Sequence, residues 1–157
     1  MSVSSKLKRQ IAVEREQLRR LLEVHRPLLV KCGSLAPDAI ELSALAALLH
    51  AFYTGIENIL KRVAVEVDGR VPAGELWHRQ LLDQVAGATA QRPAVISPGL
   101  PDTLRGYLDF RHVFRQAYTF ELRREKMTAL VRDLDAIFRE VETELDLFCA
   151  RLPCTRT

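Results

Sequence analysis

Apolar residues recur at every third or fourth position in five stretches of this chain, and that spacing predicts five helices. The first runs from about Ser5 to Arg26, with Leu7, Ile11, Leu18, Leu21 and Leu22 on one side; Pro27 and Gly33 end it. The second opens at Pro37-Asp38 and reaches about Val67. Leu45, Leu48, Leu49, Phe52, Ile56, Ile59, Leu60 and Val63 form its core side. A loop, "DGRVPAG", follows. The third helix is short, "ELWHRQLLDQVAGA", with Trp77, Leu81, Leu82 and Val85 inward, and a second loop, "QRPAVISPGLP", comes after it. The fourth begins near Pro101-Asp102, where proline and an acid suit a first turn, and runs to about Tyr118. The fifth extends from about Glu121 to Arg151 and repeats Met127, Leu130, Val131, Leu134, Ile137, Phe138, Val141, Leu145 and Phe148 as a long packing seam. No stretch alternates with a period of two. The expectation is an all-α, antiparallel up-and-down bundle of about five helices, in one domain over residues 1–157.

Composition narrows the class. Apolar residues make up 48% of the 157, enough for a core. The richest apolar stretch, "LSALAALLHAFY", is interrupted by His50 and falls short of a membrane span. The charged start, "MSVSSKLKRQIAVEREQL", lacks the apolar block of a secretory signal. Cys32, Cys149 and Cys154 have no metal-like spacing and read as reduced thiols of a cytoplasmic protein. A net charge of +3 does not announce nucleic acid, but its distribution is uneven. Lys6, Lys8, Arg9, Arg15, Arg19, Arg20, Arg26 and Lys31 crowd the first segment, and Asp133, Asp135, Glu140, Glu142, Glu144 and Asp146 crowd the last. Such helices are either bundle partners or sides of one basic surface.

Several chemistries are not indicated. The chain has no phosphate-binding glycine loop, no zinc-spaced Cys/His set and no serine in a nucleophile elbow, so no cofactor or metal is expected. The fourth helix is the candidate. Projected at about 100° per residue, it places Gly106, Phe110, Val113, Phe114 and Ala117 on the buried side. Arg105, Asp109, His112, Arg115 and Gln116 gather opposite, with Arg111 and Tyr118 on one line at the edge. His112 and Gln116 are neighbours one turn apart. An arginine can grip a phosphate and stabilise charge growing on its oxygens. An imidazole can shuttle protons near neutral pH. RNA brings its own nucleophile, the 2′-hydroxyl. The alternative is an ordinary solvated helix face.

The stretch "LDFRHVFRQAY" resembles the signature helix of HepT-like proteins, small all-α ribonucleases of the HEPN superfamily. The resemblance extends to "GIENILKRVA", "GELWHRQLL" and "RPAVIS", so it covers the chain from about Gly55 to Leu152. The family motif is Arg, four to six residues, then His, commonly followed by any residue and Tyr. Arg111 matches the arginine and Tyr118 the tyrosine, but Gln116 stands where the histidine is expected. Glutamine hydrogen-bonds but does not titrate near pH 7. Either His112 substitutes, spaced suitably from Arg105, or cleavage has been lost and the fold serves binding.

The resemblance implies a toxin of a toxin–antitoxin pair that cuts RNA by metal-independent transesterification. Arg111, with Arg105 or Arg115, would hold the phosphate; His112 would be acid or base, and Gln116 would orient substrate. It also implies a homodimer with a shared cleft, and an MntA-like minimal nucleotidyltransferase as antitoxin. That partner would silence the toxin by adding AMP to Tyr118. No membrane association is implied. Glu57 and Asn58, polar on an apolar helix, would border the cleft and position an arginine, or else bond across the bundle. His78 reads as an interhelical hydrogen-bond partner; His25 and His50 receive no role.

Overall fold

The fold is that of a computed structural model, which describes residues 3–116 and 124–152. Among the described residues six helices follow in order: α1 Val3–Val24, α2 Arg26–Cys32, α3 Ala39–Val63, α4 Trp77–Ala86, α5 Leu100–Gln116 and α6 Arg124–Arg151. A π-helical turn, Ala64–Asp68, continues α3. No strand occurs among the described residues. The all-α expectation holds, with one helix more than the spacing predicts. Pro27 lies in the first turn of α2 rather than ending a helix outright, because a missing N–H is harmless there. Gly33 then closes α2.

The central helix is α3, packed against α1, α4, α5 and α6. Its start is fixed by a capping box: the Asp38 carboxylate accepts from Glu41 N at 2.8 Å and Glu41 Oε1 accepts from Asp38 N at 3.1 Å. By length and composition, Ala39–Asp68 could cross a membrane, with mean hydropathy 1.4. Here Leu45, Leu48, Leu49, Phe52, Ile56, Ile59, Leu60 and Val63 form the middle of the core. The α1–α3 crossing is close. A Cβ on Gly55 would sit 2.5 Å from Leu18 Cδ2 and 3.0 Å from Leu18 Cγ, so only glycine leaves room for that buried leucine. Gly69 ends the π turn with φ of 71°, a left-handed conformation that glycine adopts without strain.

The uneven charge resolves into bundle partners. Arg15 bonds Glu142 at 2.9 Å and Asp146 at 2.6 Å, Arg19 also reaches Glu142, and Arg26 bonds Asp135 at 2.7 Å. Three arginines of the first segment are thereby neutralised by α6 rather than offered to a polyanion.

The loop after α4 is pinned from within. The Arg92 side chain is fully buried, and it donates through Nε and Nη2 to Asp68 at 2.7 and 2.9 Å. It also donates to the carbonyls of Gln84, Gly87 and Pro93. Val95 and Ile96 are thereby held in the core. The "RPAVIS" stretch is thus a latch joining the end of α4 to the π turn, a role that its loop-like composition hides.

Candidate functional site

The buried face of α5 differs from the projection. Leu104, Tyr107, Leu108, Phe110 and Arg111 face inward, whereas Val113 is 43% exposed and Phe114 half-buried. Arg111 follows Leu104 and Tyr107 by seven and four positions, so it lies on their stripe. Counting apolar residues alone pulls the predicted face towards Val113. It misses that α3 offers acceptors for a buried guanidinium.

Those acceptors sit at helical spacing on α3. Arg111 Nη2 donates to Glu57 Oε2 at 2.9 Å, and Nη1 donates to Thr54 Oγ1 at 3.3 Å. Thr54 in turn donates to the His50 carbonyl at 2.9 Å. The guanidinium also lies 4.8 Å from the centroid of the Tyr53 ring. The Arg111 and Glu57 side chains are only 6% and 7% exposed, so each charge depends on the other. Burial pushes the Tyr53 phenol well above its ordinary value, so it keeps its proton.

His78, from the start of α4, completes the cluster. Its Nδ1 is 2.7 Å from the same Glu57 Oε2 and 3.0 Å from Arg111 Nη2. An arginine nitrogen cannot accept, and a lone pair on Nδ1 would face the carboxylate oxygen at repulsive distance. Nδ1 therefore carries a proton and donates to Glu57, and the 3.0 Å separation closes a triangle of two donors on one oxygen. That leaves Nε2 as the ring position open to other partners. The His78 side chain is 26% exposed, and its ring packs on Trp77 with centroids 3.7 Å apart. Lys61, one turn beyond Glu57, lies 5.1 Å from the Trp77 ring. At the other end His50 is 5.1 Å from the Phe114 ring. Burial, then the charges of Arg111 and Arg115, hold its imidazole below the ordinary value, so it is neutral at neutral pH.

The other sequence-predicted residues fall elsewhere. Arg105 is engaged by Asp102 at 2.8 Å and Asp83 at 3.1 Å, and Asp109 by Arg79 at 2.8 Å. His112 and Arg115 are exposed; Arg115 follows Arg111 by one turn on the same side of α5, whereas His112 lies about 100° round the helix. Gln116 is the last residue of α5, but its side chain, like Tyr118, lies outside what is described. Asn58 is exposed and borders a groove with Glu14, Lys61, Arg62 and Val65, apart from Arg111. His25 bonds the Leu21 carbonyl at 2.8 Å, a helix-end role. Glu57 bonds across the bundle to an arginine, which fits both readings of that residue. His78 is the interhelical partner the sequence suggests, but of the motif arginine itself. The missed residues, His50 and Thr54, precede Glu57 by seven and three positions. A polar stripe on an otherwise apolar helix is the signal that reveals them.

Among the described residues no group of three or more His, Cys, Asp or Glu could hold a metal ion. A largely apolar cavity of about 330 Å³, bordered by Leu29, Cys32, Leu42, Leu45, Met127 and Val131, contains no member of the Arg111 cluster.

One comparison with known proteins agrees with the resemblance. No curated protein and no solved structure matches the chain. A family model described as HepT-like protein matches residues 44–152, from the polar stripe of α3 to the end of α6. With more than half of its 157 residues matched, the chain belongs to the HepT-like family of the HEPN superfamily.

Proposed function

We propose that this HepT-like chain is the toxin of a toxin–antitoxin pair, a ribonuclease that cuts single-stranded RNA by transesterification without a metal. The observation that carries the reading is Arg111, the motif arginine, held rigidly by Glu57, Thr54 and the Tyr53 ring beside an imidazole. A guanidinium fixed in a partly desolvated place stabilises charge developing on a phosphate better than a mobile one in water. Arg115, exposed on the next turn, adds a phosphate contact, whereas Arg105 stays with its two acids. Two copies of α5 in a homodimer line one cleft and double the cations along the strand. An MntA-like nucleotidyltransferase adds AMP to Tyr118 and closes the cleft with bulk and negative charge.

One observation favours a second reading. Gln116 at the motif histidine position cannot transfer protons, so a chain with no other imidazole in reach of the phosphate binds without cutting. Cleavage by the purified chain beside Gln116→His separates the two. If the parent and the variant both cut, the enzyme reading stands and another imidazole serves the parent. If only the variant cuts, the parent is a binding protein. Mass spectrometry after co-expression with the nucleotidyltransferase tests the modification; absence of added AMP mass on Tyr118 removes it.

A further inference from the structure

We infer that His78, rather than His112, is the catalytic imidazole, and that Glu57 and His78 act as a carboxylate–imidazole dyad beside Arg111. This rests on the ribonuclease reading and assigns its missing proton carrier. Three observations converge. His78 is in direct contact with the motif arginine: Nδ1 lies 3.0 Å from Arg111 Nη2 and 2.7 Å from Glu57 Oε2. The carboxylate fixes the tautomer, leaving Nε2 with a lone pair in the neutral ring, and stabilises the imidazolium once that lone pair takes a proton. The ring is also reachable, 26% exposed, while Glu57 behind it is buried. His112, although next to Arg111 in sequence, is exposed on another side of α5.

Charge supports the same assignment. With neutral His78, Arg111 and Glu57 cancel, and the cluster carries no net charge. When His78 gains a proton the cluster becomes a cation at the moment the phosphate oxygens gain negative charge. Trp77, its ring centroid 3.7 Å from that of the imidazole, holds the ring and presents an aromatic face beside Lys61.

The step balances. Neutral Nε2 takes the proton of the RNA 2′-hydroxyl. The O2′–P bond forms and the P–O5′ bond breaks, giving a 2′,3′-cyclic phosphate. The leaving O5′ takes a proton from water, and the resulting hydroxide takes the proton from imidazolium, which restores the enzyme.

The test uses His78→Asn, His78→Gln and His112→Asn in the full chain, with a labelled single-stranded RNA. Asparagine places an amide N–H near the position of Nδ1, so His78→Asn keeps the bond to Glu57 and loses only proton transfer. Cleavage is followed against pH; RNA binding and thermal unfolding are measured alongside. The expected result is that His78→Asn melts and binds RNA as the parent does but cuts at least ~100-fold more slowly. The parent's loss of rate on acidification is absent from what activity remains. His112→Asn stays within about threefold of the parent, below the range of general acid–base catalysis. His78→Gln, which lacks the donor at Nδ1, shows the same loss if it folds. Cutting by His78→Asn at the parental rate with the parental pH profile overturns the assignment and leaves the ribonuclease reading intact. A parent that cuts no RNA removes both.

Discussion

Breaking the Arg111–Glu57 pair from the carboxylate side should be among the costliest single changes in the protein. Glu57→Leu removes the oxygen that receives both Arg111 Nη2 at 2.9 Å and His78 Nδ1 at 2.7 Å. It leaves a guanidinium whose side chain is 6% exposed, with only Thr54 at 3.3 Å and the Tyr53 ring as company. Stranding a buried charge costs about 3–5 kcal/mol. For a chain of this size that is a fall in midpoint of roughly 6–20 °C, at about 2–4 °C per kcal/mol. Arg111→Met strands Glu57 instead. Its cost is smaller, because His78 still donates to the carboxylate and can become its counter-ion. The double variant Glu57→Leu with Arg111→Met replaces the pair by apolar side chains of similar size, an exchange that is often close to neutral. The double should therefore cost about 3 kcal/mol less than the sum of the singles. Urea and thermal unfolding, followed by circular dichroism at one protein concentration, give all four corners of the cycle. The reasoning is refuted if Glu57→Leu costs under about 1 kcal/mol, as an exposed pair would, or if the two changes add.

Other outcomes follow from the fold. Stability should fall on acidification in two stages. His50, held below its ordinary 6.5 by burial and by Arg111 and Arg115, binds fewer protons folded than unfolded, so its contribution begins to be lost below that pH. The steeper loss comes below about pH 4, as carboxylates with lowered values are protonated: Asp135, bonded by Arg26, and Asp68, where bonds from Arg92 and Gln84 outweigh the upward push of burial. Asp68→Asn should flatten the second stage and leave the first, and a pH series of urea midpoints checks both. Gly55→Val should destabilise by about 1–3 kcal/mol through collision with Leu18, despite removing a helix glycine; a gain in stability would contradict the close α1–α3 crossing. Arg92→Lys cannot serve Asp68 and three carbonyls together, so hydrogen exchange should rise in residues 87–99 at a cost of about 2 kcal/mol.

Most of the helices are legible in the sequence, because apolar spacing and local chemistry decide them. Pro37-Asp38 with Glu41 marks the start of α3, and Pro101-Asp102 the start of α5. Pro27 is ambiguous in isolation, since a proline both ends one helix and suits the first turn of the next. The site is harder to read. Arg111 is found by motif, but its burial depends on partners 33 and 54 residues away along the chain. Nothing in "FRHVFRQAY" reveals that α3 turns Thr54 and Glu57 towards it. Spacing along α5 makes His112 and Gln116 neighbours, while through-space packing makes His78 the neighbour of Arg111. Arg92 is opaque for the same reason, since its acceptors are backbone carbonyls and an aspartate on another element.

The central claim is that the Arg111 cluster of this HepT-like chain cuts RNA with protein groups alone. The most direct measurement incubates the purified chain with single-stranded RNA in excess chelator and identifies the product ends by mass spectrometry, beside Arg111→Lys. Lysine keeps the charge but cannot bond Glu57 and Thr54 through two separate nitrogens. The expected result is fragments ending in 2′,3′-cyclic phosphate, with the lysine variant at least ~100-fold slower. Intact RNA at stoichiometric protein, or undiminished cutting by Arg111→Lys, would contradict the account.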